Sequence, residues 1–159
     1  LVRIDPVDPA MGLVGTVRGG DADAARTLLN AGFTPVIASI GADDSGTLRN
    51  VNADDAAAGV AAALNAAELT FLSDTPGVLD AEGRTIDTVR ADDAEALIDA
   101  GVAIGGMAAK LRAASRAARA HSIDVRIAGA PSDIDNPTGT TILAPNRTPI
   151  NATAGSTTP

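Results

Sequence analysis

The sequence predicts an α/β sandwich with a largely parallel sheet, and three observations carry that prediction. Short apolar runs such as FTPVIASI (residues 33–40) and LTFLS (69–73) alternate with alanine-rich stretches of helical spacing. Clusters of Gly, Asp and Asn mark each change of period. Aromatic residues make up 1% of the chain, with no Trp or Tyr, so the core must be built from Ala, Val, Leu and Ile, which suits helices lying close against a sheet. The 159 residues, 45% hydrophobic, suffice for one domain.

Each element has its own warrant. Residues 1–20 contain Pro6, Pro9 and GLVGTV (12–17), a short apolar segment bounded by glycines. Residues 21–30 place Ala24, Ala25, Leu28 and Leu29 at helical spacing after an Asp-rich start, and Ala31-Gly32 stops that helix. Residues 33–40 read as a buried strand, and GADDSGTL (41–48) as a hairpin or loop. A helix over 54–64, rich in alanine, leads to a strand over 69–73. This strand, helix, strand order predicts a parallel pair joined by a right-handed crossover.

Gly83 marks a turn before a short strand around 84–89, and 91–100 is an acidic helix closed by Gly101. GVAIGGMAAK (101–110) opens a long helix to about 120, on which Arg112, Arg116 and Arg119 share a face. Strands follow at 123–128 and 140–143. The domain is expected to span 1–144, and the Thr, Pro, Ala and Asn of 145–159 predict a disordered tail.

A formal charge of −8 disfavours a nucleic-acid partner. With no Cys and one His, His121, structural zinc and thiol chemistry are excluded, and His121 reads as a surface residue. No apolar run has the length of a membrane span and no signal segment opens the chain, so the protein is expected to be cytoplasmic, with no membrane partner. Sequons at Asn146 and Asn151 are read as chance.

Two stretches fall where loops follow strand ends, the place where open α/β sheets bind ligands. In NVNAD, Asn50, Asn52 and Asp54 stand at alternate positions before a helix, so an extended approach would point all three to one side, near an N-terminus suited to anions. Helix capping explains one such residue and not three. In SDTPG, Asp74, Thr75, Pro76 and Gly77 are read singly as a plain turn. Lys110 stands out because the other 11 basic residues are Arg. A lone ammonium near a helix start, where the dipole disfavours a cation, is explained if it neutralises oxygens of a transferring phosphoryl group; a chance surface lysine is the competing reading. GVAIGG matches neither the Walker A nor the dinucleotide pattern, so Gly105-Gly106 reads otherwise as a hinge or tight helix entry.

Jointly, NVNAD, the alanine-rich helix, LSDTPGVLD, the acidic helix, GVAIGGMAAK and GTTILA resemble the N-acetylglutamate kinases of the amino acid kinase family, over residues 10–144. The resemblance implies a three-layer α/β/α sandwich of which this chain is the C-terminal, nucleotide-binding portion, with the N-terminal part missing. The family's opening strand with a Lys and a glycine-rich turn does not precede NVNAD here. The implied reaction, in arginine biosynthesis, is ATP-dependent phosphorylation, with Mg²⁺, of the side-chain carboxylate of N-acetyl-L-glutamate. Carried over by position, Asn50 and Asn52 bind the acylated amino acid, Asp54 organises the catalytic lysine region, and Lys110 stabilises the transition state. Asp74, Thr75, Pro76, Gly77, Val78 and Leu79, with Val102, Ala103 and Ile104, line the nucleotide. A non-catalytic module of the same fold and a kinase for another amino acid are the alternatives, and homo-oligomerisation stays open.

Overall fold

In the computed structural model, which describes residues 2–129 and 138–145, eight strands divide between two four-stranded sheets. Strands β1 (Val2–Pro6), β2 (Gly15–Gly20), β3 (Ile40–Ala42) and β4 (Leu48–Asn50) form one sheet in the order β2-β1-β3-β4. Strands β5 (Glu68–Ser73), β6 (Thr88–Arg90), β7 (Asp124–Gly129) and β8 (Thr140–Leu143) form the other, in the order β5-β7-β8-β6. The helices are α1 (Asp23–Asn30), α2 (Ala53–Leu64), α3 (Ala94–Asp99) and α4 (Gly105–His121). A 3-10 turn, Ala91–Asp93, precedes α3 within the predicted acidic helix.

The α/β class stands, but the expected largely parallel sheet is replaced by strands of mixed direction. Pairs β1–β3, β5–β7 and β6–β8 are parallel, and β1–β2, β3–β4 and β7–β8 are antiparallel. The predicted strand, helix, strand crossover also fails. The β4 strand is committed to β3 through a tight hairpin, so α2 carries the chain from one sheet to the other, and β5 pairs with β7 instead. Asp43 builds that hairpin: its Oδ1 accepts from the backbone N–H of Ser45 (2.9 Å) and Thr47 (3.0 Å), and its Oδ2 from Arg49 Nε (2.8 Å).

The buried strand expected over 33–40 is corrected as well. Residues 33–39 are irregular and Val36 is 97% exposed; regular structure starts at Ile40, where Asn50 supplies a ladder partner. An apolar run becomes a strand only where a neighbour takes its N–H and C=O groups, and Pro35 brings no donor of its own.

Helix ends follow local chemistry. Asn65, at φ 52°, ends α2 and Ser122, at φ 54°, ends α4, whose last turn carries Arg119 and His121 beside the negative dipole end. The three arginines of α4 share a face, as their i, i+4, i+7 spacing predicts, but reach different partners. Arg112 reaches Glu95 (2.8 Å) and Arg119 donates to the Ala91 carbonyl (2.7 Å), whereas Arg116 crosses to Asp55 on α2 (2.9 Å).

The main core lies between α2, α4 and the second sheet, with Leu111, Val125, Ile127 and Ile142 fully enclosed and alanines filling the helix contacts. The chosen side chains are those the composition predicts. A smaller cluster joins Val2, Ile4, Val51 and Ala56. Ile4 fits there because Gly15 and Gly41, in the neighbouring strands, have no Cβ to collide with its branches. The predicted tail falls outside the described residues except for Pro145, as do both sequons.

Candidate functional site

The segment entering α2 is fixed by backbone bonds before any side chain acts. Asn50 N–H donates to the Leu13 carbonyl (2.8 Å), Val51 N–H donates to the Ser39 carbonyl (3.0 Å), and Val51 is buried. Asn52 is then the N-cap, its Oδ1 accepting from the N–H groups of Asp54 (3.0 Å) and Asp55 (3.2 Å). The expected alternation of Asn50, Asn52 and Asp54 therefore ends at Asn52, because Asp54 already has helical geometry. Asn50 sits exposed at the end of β4, and Asp54 turns toward α4.

There it meets Lys110. The ammonium lies 3.1 Å from Asp54 Oδ1 and 3.2 Å from Oδ2, with the lysine side chain 19% and the carboxylate 28% exposed. Beneath it is the ring of Phe71 on β5, its centroid 5.3 Å from Nζ. Two residues that sequence reasoning selected separately are thus one ion pair, while Phe71 escaped notice.

Past the C-terminal end of β5, residues 74–79 form a hydrogen-bonded loop. Ser73 Oγ donates to Asp74 Oδ1 (3.2 Å), and Thr75 Oγ1 donates to the Gly77 carbonyl (3.3 Å). Parallel pairing brings Ser73 beside Gly129 at the end of β7, and a side chain at Gly129 would press on Pro76 Cα at 3.3 Å. Gly77 is required for a similar reason, since a Cβ there would come within 2.7 Å of Thr140 Oγ1. That hydroxyl accepts from the buried Val78 N–H at 2.8 Å, a contact invisible in the sequence because 62 positions separate the two residues. After Leu79 the chain turns back: Ile86 N–H donates to the Val78 carbonyl, and Asp80 is held below the usual carboxylate range, chiefly by the backbone N–H of Arg84.

Val102, Ala103 and Ile104 lead into α4. Val102 N–H donates to Leu97 O (2.9 Å), Ala103 is buried with Val78 in the same core cluster, and Ile104 is 71% exposed. Gly105 enters the helix at φ +54°, which fits the tight-entry reading of the glycine pair. The N-terminus of α4 has neither a side-chain cap nor an acidic first turn, so its N–H groups keep the full positive end of the dipole.

Two of the open clefts that border α2 have neither Lys110 nor Asp54 in their walls. One, of about 590 Å³, has Arg18, Asp55, Arg116 and the exposed His121 on its rim; the other, of about 460 Å³, is apolar and runs between residues 35–39 and β5. No described helix is long and apolar enough to cross a membrane.

Comparison with known proteins agrees with the fold and with the family resemblance. The sequence pattern of the amino acid kinase family matches residues 2–129. The chain is 46% identical over 127 residues to the acetylglutamate kinase of Sodalis glossinidius, covering 80% of this chain and 49% of that protein. It is 42% identical over 151 residues to the acetylglutamate kinase of Photorhabdus laumondii, covering 91% and 58%. It also superposes on the crystal structure of smu.665 from Streptococcus mutans UA159 with a TM-score of 0.78 at 30% identity, covering 90% of this chain and 56% of that one. The chain spans about half the length of the curated relatives it matches.

Proposed function

The chain belongs to the amino acid kinase family, and from that premise we propose that it is the nucleotide-binding portion of an acetylglutamate kinase acting in arginine biosynthesis. The reaction is transfer of the γ-phosphoryl group of ATP to the side-chain carboxylate of N-acetyl-L-glutamate. A carboxylate oxygen forms a bond to the γ-phosphorus while the bond to the β,γ-bridging oxygen breaks, so ADP leaves and an acyl phosphate remains with no proton transferred. What such a reaction asks of a protein is positioning and neutralisation of spreading negative charge.

The Lys110–Asp54 pair is the observation that carries this reading. The carboxylate accepts from the ammonium at 3.1 Å, and the ammonium donates to oxygens of the transferring group as charge builds on them. Asp74 offers a carboxylate to ribose hydroxyls. The backbone of Thr75, Pro76, Gly77, Val78 and Leu79, with Val102, Ala103 and Ile104, offers N–H and C=O groups to the base. Asn50 and the amide nitrogen of Asn52 face the acceptor. Mg²⁺ would be held mainly by the phosphate oxygens of ATP and would supply neutralisation of their charge. A cytoplasmic location belongs to the same proposal.

The test is a calorimetric titration of the folded chain with Mg–ATP, followed by hydroxylamine trapping of acyl phosphate in the presence of N-acetylglutamate, glutamate or aspartate. No nucleotide binding sinks the proposal, and trapping with another acceptor redirects it to a related kinase. Because the chain spans half the length of its relatives, a second reading is a binding module without catalysis; nucleotide binding with nothing trapped would select it.

A further inference from the structure

The chain has one lysine and two phenylalanines, and the lysine ammonium lies over the ring of the one that is buried. Phe33, the other, is 63% exposed. We propose that Phe71 is a positioning residue that seats the Lys110 ammonium through its ring face. This inference rests on the kinase reading above and assigns a part of the machinery that no motif marks.

Asp54 alone under-determines where the ammonium sits. A carboxylate fixes a cation in its own plane but lets a flexible four-carbon stem swing around the two oxygens, which lie 3.1 and 3.2 Å away. A third contact from another direction removes that freedom. Phe71 supplies it: the ring is 3% exposed, is packed in the core of α2, α4 and the second sheet, and presents its centroid 5.3 Å from Nζ, inside the range of cation–π attraction.

The chemistry of the third contact matters as much as its place. A second carboxylate would leave the cluster with a net negative charge, and a carbonyl would occupy one of the ammonium's three N–H donors. A ring face attracts the positive charge without accepting a conventional hydrogen bond. With Asp54 engaging part of the ammonium, a donor is left for phosphoryl oxygens. An aliphatic side chain of similar size would fill the same volume and lack the quadrupole.

The sole lysine makes the test direct, because ¹³C-lysine labelling gives one ε-methylene signal. In the unliganded protein that signal should be shifted upfield by the ring current and lose the shift in Phe71→Leu. Mg–ATP affinity should fall about three- to tenfold in Phe71→Leu, the range expected for one cation–π contact at a partly shielded site. If the leucine variant does not fold, fluorinated phenylalanines placed at position 71 keep the shape while draining charge from the ring face. Affinity should then fall stepwise with fluorine number, a trend that core filling alone does not produce. An unshifted methylene signal in the wild type, or Mg–ATP affinity indifferent to leucine or to fluorine, overturns the inference and leaves the kinase reading standing. No Mg–ATP binding to the folded wild type removes the kinase reading and this inference with it.

Discussion

Asp54 Oδ1 and Lys110 Nζ, 56 positions apart in the chain, lie 3.1 Å from each other across the contact between α2 and α4. The aspartate is delivered to that point by a cap: Asn52 takes the N–H groups of Asp54 and Asp55 and so fixes the first turn of α2. Replacing Asn52 with Ala should destabilise the protein by about 1 kcal/mol, as loss of a side-chain cap generally does. Urea unfolding would show it as a lower midpoint with unchanged slope. A variant as stable as the wild type would mean that packing alone holds this helix start.

Gly77 and Thr140 define the second prediction. A methyl group at Gly77 meets Thr140 Oγ1 at 2.7 Å and Thr140 N at 3.0 Å, so Gly77→Ala must displace the hydroxyl that satisfies the Val78 N–H. That N–H belongs to a residue with no solvent exposure, so losing its acceptor should cost about 1–3 kcal/mol. Thr140→Val, which keeps the shape and deletes the acceptor, should cost a similar amount. The double variant should fall short of the sum, because both changes break the same bond. Additive losses in denaturant unfolding would show that the two residues act independently.

Acid stability should report on the β3–β4 hairpin. The Asp43 carboxyl is lowered from its ordinary 3.8 to about 2, first by the hydrogen bond from Ser45 and then by that from Arg49. A folded-state value below the unfolded one means that the contribution is fully present above pH 3.8 and is lost as pH falls through about 2. The melting temperature of the wild type should therefore drop more steeply over that window than that of Asp43→Asn. Parallel curves for the two proteins would show that the carboxylate has no net preference for the folded chain.

What could be read in advance divides by sequence distance. The end of the acidic helix and the entry to α4 were legible because Gly101 and Gly105 act within a few residues of themselves. Strand pairing was not. Residues 33–40 carry every local mark of a strand, yet strand pairing begins at Ile40, and β5 chooses β7 across more than fifty residues. The site shows the same division. Lys110 could be singled out by being alone of its kind, and Asp54 by its motif, but their contact needed the crossing of two helices. Phe71 had no local signal, because its meaning lies in which helix passes over it. Thr140 is a similar case, and the commitment of the Asn52 side-chain oxygen to the cap of α2 could not be told from its position in NVNAD alone.

The kind of cation at position 110 provides the last prediction. A guanidinium is planar, with five donors in a rigid fork that matches a carboxylate in two places, whereas an ammonium is a compact charge whose donors rotate. Lys110→Arg should therefore keep the pair with Asp54 and leave stability near that of the wild type. Its charge would be spread over the fork, committed to Asp54 and displaced from the seat over Phe71, so Mg–ATP affinity should fall about tenfold. Lys110→Met should weaken binding at least as much. Its effect on stability should be under about 1 kcal/mol, because the carboxylate it abandons remains partly solvated. Calorimetric titration of both variants separates the two demands. Arginine binding Mg–ATP as tightly as lysine would show that the site requires positive charge and nothing of its shape.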